Sequence, residues 1–182
     1  MITSGLQFDI EWVRIKDMTP DEKMKLVIDL AEKALEKNEL PIACIIFHND
    51  TIIAQTYTSE SADKRLLVHA EIKALIELDQ KKIGIKDKAQ MELYTNLEPC
   101  MMCLGAAISS FVGKIYYSLA APSDGAAKWA EKTWNEHHTE SSFCLPDITS
   151  GILETESKEL FQRYIEIHKQ GPMVEWVNTI IG

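Results

Sequence analysis

Two short clusters constrain this 182-residue chain more than anything else in it: His69-Ala-Glu71, and Pro99-Cys-Met-Met-Cys103. Cys100 follows His69 by 31 residues. Each cluster comes after loop-forming residues and opens a stretch of helical spacing, so the imidazole and both thiols are expected at helix N-termini. A neutral imidazole and two thiolates are good zinc ligands. Three protein ligands leave the fourth tetrahedral position to water, the pattern of catalytic rather than structural sites. A fold that uses all three donors must bring two helix starts, far apart in sequence, to one point. Dipole charge at helix N-termini also lowers cysteine pKa and keeps the thiols deprotonated. Pro99 suits the second junction, because it fixes its own φ and needs no partner for an amide proton.

The rest of the chain alternates strands and helices. Thr19-Pro-Asp-Glu22 combines an N-cap hydroxyl, a proline at the first helical position and the reciprocal acid of a capping box. Met24, Val27, Ile28, Ala31 and Leu35 follow at helical spacing, which predicts a first helix. Residues 41–47 and 51–57 are β-rich and join through His48-Asn-Asp50 as a hairpin. A second helix is expected from Leu67 to Lys82, with Val68, Ile72, Leu75 and Ile76 as its apolar stripe. Lys73 and Glu77 are spaced for an i,i+4 pair, and Gly84 is its stop. Met91–Thr95 reads as a strand, Cys100–Phe111 as a small-residue helix and Lys114–Leu119 as another strand. Residues 122–146, rich in Ala, Trp, His and Ser, carry no clear period. An apolar run at Ile148–Leu153 and a helix from Ser157 to Lys169 come next. In the last segment Val174, Val177, Ile180 and Ile181 share one face of a short helix, which should dock on the body or on a partner. The order α-β-β-α-β-α-β predicts the α/β class, a layered α/β/α domain around one sheet. One domain over residues 1–182 is expected, with its core at 20–169 and a docking segment at 170–182.

Composition bears on partners and compartment. With 28 acidic against 19 basic side chains the formal charge is -9, a field that suits a small ligand better than nucleic acid or an anionic membrane. Asp9, Glu11, Arg14 and Lys16 interrupt the apolar residues of the opening segment, and no later run approaches the roughly 20 apolar residues of a membrane span. Cys44 and Cys144 are isolated, and Cys100 and Cys103 are paired. That is not a disulfide framework, and it points to a reducing, cytoplasmic setting. Cys44 and Cys144 are expected to act as small buried hydrophobes.

Glu71 is too close to His69 to be an easy second ligand, yet near enough to stand beside the metal's open position. It is expected to shuttle protons from water to a ring nitrogen and then to a departing amine, giving a carbonyl and ammonia. H-x-E together with P-C-x-x-C is the signature of zinc nucleobase deaminases. The chain resembles the cytidine and deoxycytidylate deaminase superfamily, and within it the branch of bacterial tRNA adenosine deaminases and guanine deaminases. That branch commonly reads T-L-E-P-C-x-M-C-x-G-A at its second motif, where this chain has Asn96-Leu-Glu-Pro-Cys-Met-Met-Cys-Leu-Gly-Ala106. Leu40-Pro41, Asp124-Gly-Ala-Ala127 and Ile148-Thr-Ser-Gly-Ile-Leu153 extend the likeness across residues 20–169. The resemblance implies a five-stranded mixed sheet flanked by helices, Zn2+ on His69, Cys100 and Cys103, Glu71 as the catalytic group, and a homodimer with the active site near its interface.

Departures from the pattern concern the substrate. Members that bind purines commonly carry an asparagine eleven residues before the ligand histidine, where this chain has Thr58. Leu66-Leu67-Val68 stands in place of Pro-Thr-Ala, and Ala43 in place of a frequent glycine. Asn96 replaces a common threonine and would either restore a hydrogen bond to substrate or hold a turn. Thr58, Ala70, Asn96 and Pro99 are the expected substrate contacts. Trp129, Trp134 and Phe143 would either stack on a heterocycle or simply pack. A closed structural zinc knuckle would need a fourth ligand, for which His137 or His138 is available. The leading expectation is a zinc-dependent hydrolytic deaminase of an amino-bearing nucleobase, nucleoside or related heterocycle. One alternative is a tRNA adenosine-to-inosine deaminase. The charge opposes it, as does a last long helix in which Lys158, Arg163 and Lys169 face Glu154, Glu156, Glu159 and Glu166. The other is a zinc-containing scaffold without turnover, suggested by Thr58 and the altered 66–68 stretch.

Overall fold

Helix α1 (Pro20–Glu36) starts at the capping box. In the computed structural model, which describes residues 18–137 and 143–182, the Glu22 carboxylate accepts from the Thr19 amide at 2.7 Å, while the Thr19 hydroxyl accepts from the Glu22 amide at 3.3 Å. Strands β1 (Ala43–His48) and β2 (Thr51–Tyr57) form the expected hairpin. Its two linking residues, Asn49 and Asp50, both have left-handed φ (48° and 61°), which matches the twist of the flanking strands. The chain continues through α2 (Glu60–Asp63), α3 (Ala70–Gln80), α4 (Ile85–Lys88), β3 (Glu92–Leu97), α5 (Met101–Ser109), β4 (Lys114–Leu119), α6 (Ala127–His137), β5 (Asp147–Thr149), α7 (Glu154–His168) and α8 (Pro172–Ile181).

The five strands make one mixed sheet in the order β2-β1-β3-β4-β5. β1 is antiparallel to both β2 and β3, whereas β4 is parallel to β3 and to β5. Both faces are covered, which is why β1 is apolar without interruption. Ala43, Ile45 and Phe47 point to one face, where α1, α7 and α8 add Met24, Val27, Phe161 and Val177. Cys44 and Ile46 point to the other, against Ala74, Leu78, Leu104 and Ala130 from α3, α5 and α6. This is the three-layer α/β/α arrangement, and each large apolar side chain so buried contributes about 1.5–3 kcal/mol. Lys23, 6% exposed, joins the layers with ion pairs to Asp50 at 2.7 Å and Glu92 at 2.6 Å.

Several local expectations need correction. The second long helix begins at Ala70 rather than Leu67, because His69 has an extended ψ of 150° and serves as N-cap. Leu67 is 63% exposed outside the helix, and Ile76 is 53% exposed. The buried stripe of α3 is Ala70, Glu71, Ala74, Leu75 and Leu78. Lys73 reaches the Tyr57 carbonyl at 2.8 Å and the Ser59 hydroxyl at 3.0 Å rather than pairing with Glu77. The helix stops at Gln80, and Gly84 is instead the N-cap of α4. The stretch without a clear period contains α6, and the run at 148–153 contributes only the short edge strand β5. Cys44 is fully buried as expected, whereas Cys144 is exposed. Residues 1–17, with Asp9, Glu11, Arg14 and Lys16, lie outside the described residues.

Candidate active site and metal centre

The sheet changes from antiparallel to parallel pairing at β3, and ligands in open α/β sheets bind at the carboxyl end of strands where the order switches. Two helix starts meet there. His69 caps α3, Cys100 caps α5, and Cys103 lies in the first turn of α5. The Nδ1 of His69 is 3.7 Å from Cys100 Sγ and 3.5 Å from Cys103 Sγ, and the three donor atoms lie within 4.8 Å of one another. Glu71, in the first turn of α3 and 4% exposed, accepts from the Cys103 thiol at 3.5 Å and from the Thr95 hydroxyl at 3.3 Å. On the far side of the imidazole, Nε2 is 3.1 Å from Glu60 Oε1.

Proximity sets the charge states. Hydrogen bonds from Cys103 and His69 pull the Cys100 thiol down to about 4, against the opposing effect of burial. The hydrogen bond to Cys100 foremost, with the nearby carboxylates of Glu71 and Glu60, pushes His69 up to about 9 although burial opposes it. The Cys100 thiolate and burial push the Cys103 thiol far up, and burial raises the Glu71 carboxyl. Without metal, then, Cys100 is a thiolate, and protons remain on His69 and Cys103. A dication that displaces those two protons finds one imidazole nitrogen and two sulfurs already gathered, so the donor set fits zinc. Among the described residues no fourth Cys, His or carboxylate joins the cluster, which is the composition of an open catalytic site. His138 and the side chain of His137, the candidates for closing it, lie outside the described residues.

A cavity of about 190 Å³ opens beside these donors. Ala70, Glu71, His69 and Cys100 line its inner end, Leu40, Ile42 and Leu97 its apolar wall, and Thr58, Glu60, Glu98 and Asp124 its polar side. Met173 and Trp176 of α8 form the roof, where Trp176 Nε1 donates to Asp124 Oδ1 at 3.2 Å. Of the expected substrate contacts, Thr58 and Ala70 are therefore at the cavity and Asn96 and Pro99 are not. The Asn96 amide is fully buried; it accepts from the Ala43 amide at 2.9 Å and donates to the Pro41 carbonyl at 2.8 Å and to Ser157 at 3.3 Å. Pro99 is buried with its carbonyl accepting from Ala126 at 3.0 Å. The three aromatic residues lie elsewhere: Trp129 is 54% exposed on α6, Trp134 packs on the second core, and Phe143 stacks on Phe111. Sequence reasoning missed Trp176, Met173 and Glu60. Trp176 alone left a signal, as a tryptophan in an amphipathic segment that had to dock somewhere.

Comparison with known proteins decides the family. The model of the cytidine and deoxycytidylate deaminase zinc-binding region matches residues 18–119. The chain belongs to that family. It is a zinc-dependent hydrolytic deaminase, which acts on a carbon–nitrogen bond. Among its relatives, a tRNA-specific adenosine deaminase of Bacillus subtilis is 34% identical over 76% of this chain and 84% of its own length. One of Rickettsia bellii is 30% identical over 79% and 97%. Among solved structures, a tRNA wobble-adenosine deaminase superposes with a TM-score of 0.64 at 26% identity, over 75% of this chain and 96% of its own. A guanine deaminase of Nitrosomonas europaea gives 0.68 at 20% identity, over 82% and 86%, and shares the fold. With such relatives, the expectation that net charge makes nucleic acid an improbable partner is not supported. No helix among the described residues is long and apolar enough to cross a membrane.

Proposed function

We propose that this deaminase acts on a small amino-bearing heterocycle, a free base or nucleoside, with His69, Cys100 and Cys103 as zinc ligands and Glu71 as the proton carrier. Bound there, zinc supplies a Lewis acid that brings the pKa of water near neutrality. In the metal-free site Glu71 accepts from both Thr95 and the Cys103 thiol; the Thr95 hydroxyl, which no metal deprotonates, keeps the carboxylate facing the donor cluster once Cys103 is a thiolate. Burial raises its pKa toward the working range of a group that must both take up and release a proton. It accepts a proton from the attacking water and delivers it to a ring nitrogen; it then takes the second proton from the hydroxyl now on the ring carbon and passes it to the amine, so the C–N bond breaks as the carbonyl forms. Thr58 and Ala70 border the ring, Leu40, Ile42 and Leu97 exclude water from its faces, and the products are a carbonyl and ammonia.

The roof carries the choice of a small substrate. Met173 and Trp176, tied down through Asp124, close over a cavity smaller than the about 300–1,000 Å³ of drug-sized sites. The activities of the relatives favour a second reading, a tRNA adenosine deaminase, which requires α8 to leave its seat. Ammonia release from a panel of amino-purines and amino-pyrimidines, as bases and nucleosides, separates the two. Turnover of at least one supports the first. Deamination of an anticodon stem-loop alone, weakening as salt rises, replaces it with the second. A folded protein that carries zinc and turns over neither is the scaffold. The same reading takes the chain as one catalytic domain with α8 as its docked segment, working in the cytoplasm as a homodimer. Four free cysteines fit that compartment, and a groove of Ile72, Ile76 and Ala106 between α3 and α5 offers an apolar face to a second copy.

A further inference from the structure

We propose that Glu60 is a positioning residue for the metal site: it accepts the Nε2–H of His69 and so keeps the ring turned with Nδ1 toward the two sulfurs. The inference rests on the ligand assignment above. The ring has two nitrogens with different neighbours: Nδ1 lies 3.7 and 3.5 Å from the sulfurs of Cys100 and Cys103, and Nε2 lies 3.1 Å from Glu60 Oε1. A carboxylate on the outer nitrogen fixes the tautomer that leaves the inner one free to bind metal, and it raises the basicity of that ligand. The turn that presents Glu60 is itself pinned. Glu39, 2% exposed, accepts from the amides of Ser61 at 3.1 Å and Ala62 at 2.6 Å. Ser59 donates to Asp63 at 2.6 Å, and Lys73 donates to Ser59 at 3.0 Å. A side chain on so short a helix would otherwise wander; here its backbone is held from three sides.

The test measures zinc affinity of the full chain by competition with a chromophoric chelator. Glu60→Ala is expected to bind about 10–100-fold more weakly than the parent. Glu60→Gln, whose amide oxygen accepts the same N–H without the charge, should recover part of that loss. In the cobalt-substituted protein, the visible bands that report the ligand field should shift in Glu60→Ala. Asp63→Ala, which removes only one of the contacts that pin this turn, should weaken binding by less than Glu60→Ala does and leave the bands in place. An affinity in Glu60→Ala within about twofold of the parent overturns the positioning role. So does an equal loss in Asp63→Ala, which would make the effect one of the turn alone. A parent chain that binds no zinc, or a Cys100→Ser variant that binds as tightly as the parent, overturns the ligand assignment instead.

Discussion

Replacing Gly125 with alanine tests how the loop after β4 holds the site. Gly125 passes directly over the carboxylate of Glu98, which is 6% exposed and accepts from the amides of Ala121 and Ala127, each at 3.0 Å. A Cβ at position 125 would stand 2.3 Å from Glu98 Cδ, 2.4 Å from its Oε2 and 2.7 Å from the Ala121 carbonyl oxygen. That carbonyl cannot retreat cheaply, because it accepts from the Gly125 amide at 2.8 Å. Relief therefore takes the carboxylate off one of its donors. A hydrogen bond to a charged group contributes about 1.5–3 kcal/mol, and overpacking costs about 1–3 kcal/mol where it persists. Because the first relieves part of the second, the expected loss is about 2–4 kcal/mol. At about 2–4 °C per kcal/mol for a chain of this size, the zinc-loaded protein should melt about 5–15 °C lower. Gly125 also bridges to Cys100, and the adjacent Asp124 holds Trp176, so KM should rise with the fall in melting temperature. Gly105→Ala is the control: its Cβ meets nothing within 4 Å on a helix, and alanine there should be neutral or stabilising by about 0.5–1 kcal/mol. A Gly125→Ala protein that melts within about 2 °C of the parent with the same KM would refute this reasoning.

Three further outcomes are expected. Glu71→Gln should lower kcat by about 10²–10⁴-fold while elemental analysis still finds about one zinc per chain; lost zinc would instead mark Glu71 as a ligand. Asn96→Ala removes a fully buried amide from three partners and should cost about 2–4 kcal/mol in denaturant unfolding, with KM unchanged in the folded protein; a selective rise in KM would return Asn96 to the substrate. Protons on His69, whose pKa is about 9, and on Cys103 compete with the metal. Zinc affinity should therefore climb as pH rises toward about 9, and calorimetry in buffers of different ionisation enthalpy should find about two protons released at about pH 7.5. Affinity independent of pH over that range would show that the metal-free charge states are wrong.

What could be read from the residues follows from how narrowly each position is constrained. Zinc accepts few donor types, so His69, Cys100 and Cys103 stand out in any sequence, and the capping box at Thr19–Glu22 is nearly as specific. Helix α6 was hidden because its buried contacts are alanines, Ala127 and Ala130, within a polar stretch that carries little periodic signal. Leu67 lengthened α3 on paper because it is apolar, yet it is 63% exposed. Asn96 drew attention by standing next to the metal motif, but successive residues of a strand face opposite sides of the sheet. Thr95 therefore turns toward Glu71, and Asn96 toward Pro41 and Ser157. No local pattern could say which of Trp129, Trp134 and Trp176 reaches the cavity, since that depends on the tertiary path by which α8 packs beside α7 and returns to the site.

Net charge is the opposite case, a quantity exact in the sequence and uninformative until it is placed. A total of -9 is a sum over the whole chain and does not say which face carries the charge. Its local distribution decides more. The cavity is lined by Glu60, Glu71, Glu98 and Asp124, and among the described residues that line it none is lysine or arginine. Zinc held by His69, Cys100 and Cys103 would have its two charges offset by the two thiolates, with no positive charge left over for a ligand. A phosphate brought into that space would meet carboxylates with no cation to hold it, at several kcal/mol if desolvated. An uncharged ring meets apolar walls and polar groups with which it can hydrogen-bond. On the function proposed above, the roof and the acidic lining favour a base or nucleoside over a nucleotide, and a polynucleotide substrate would have to place its phosphates beyond Trp176.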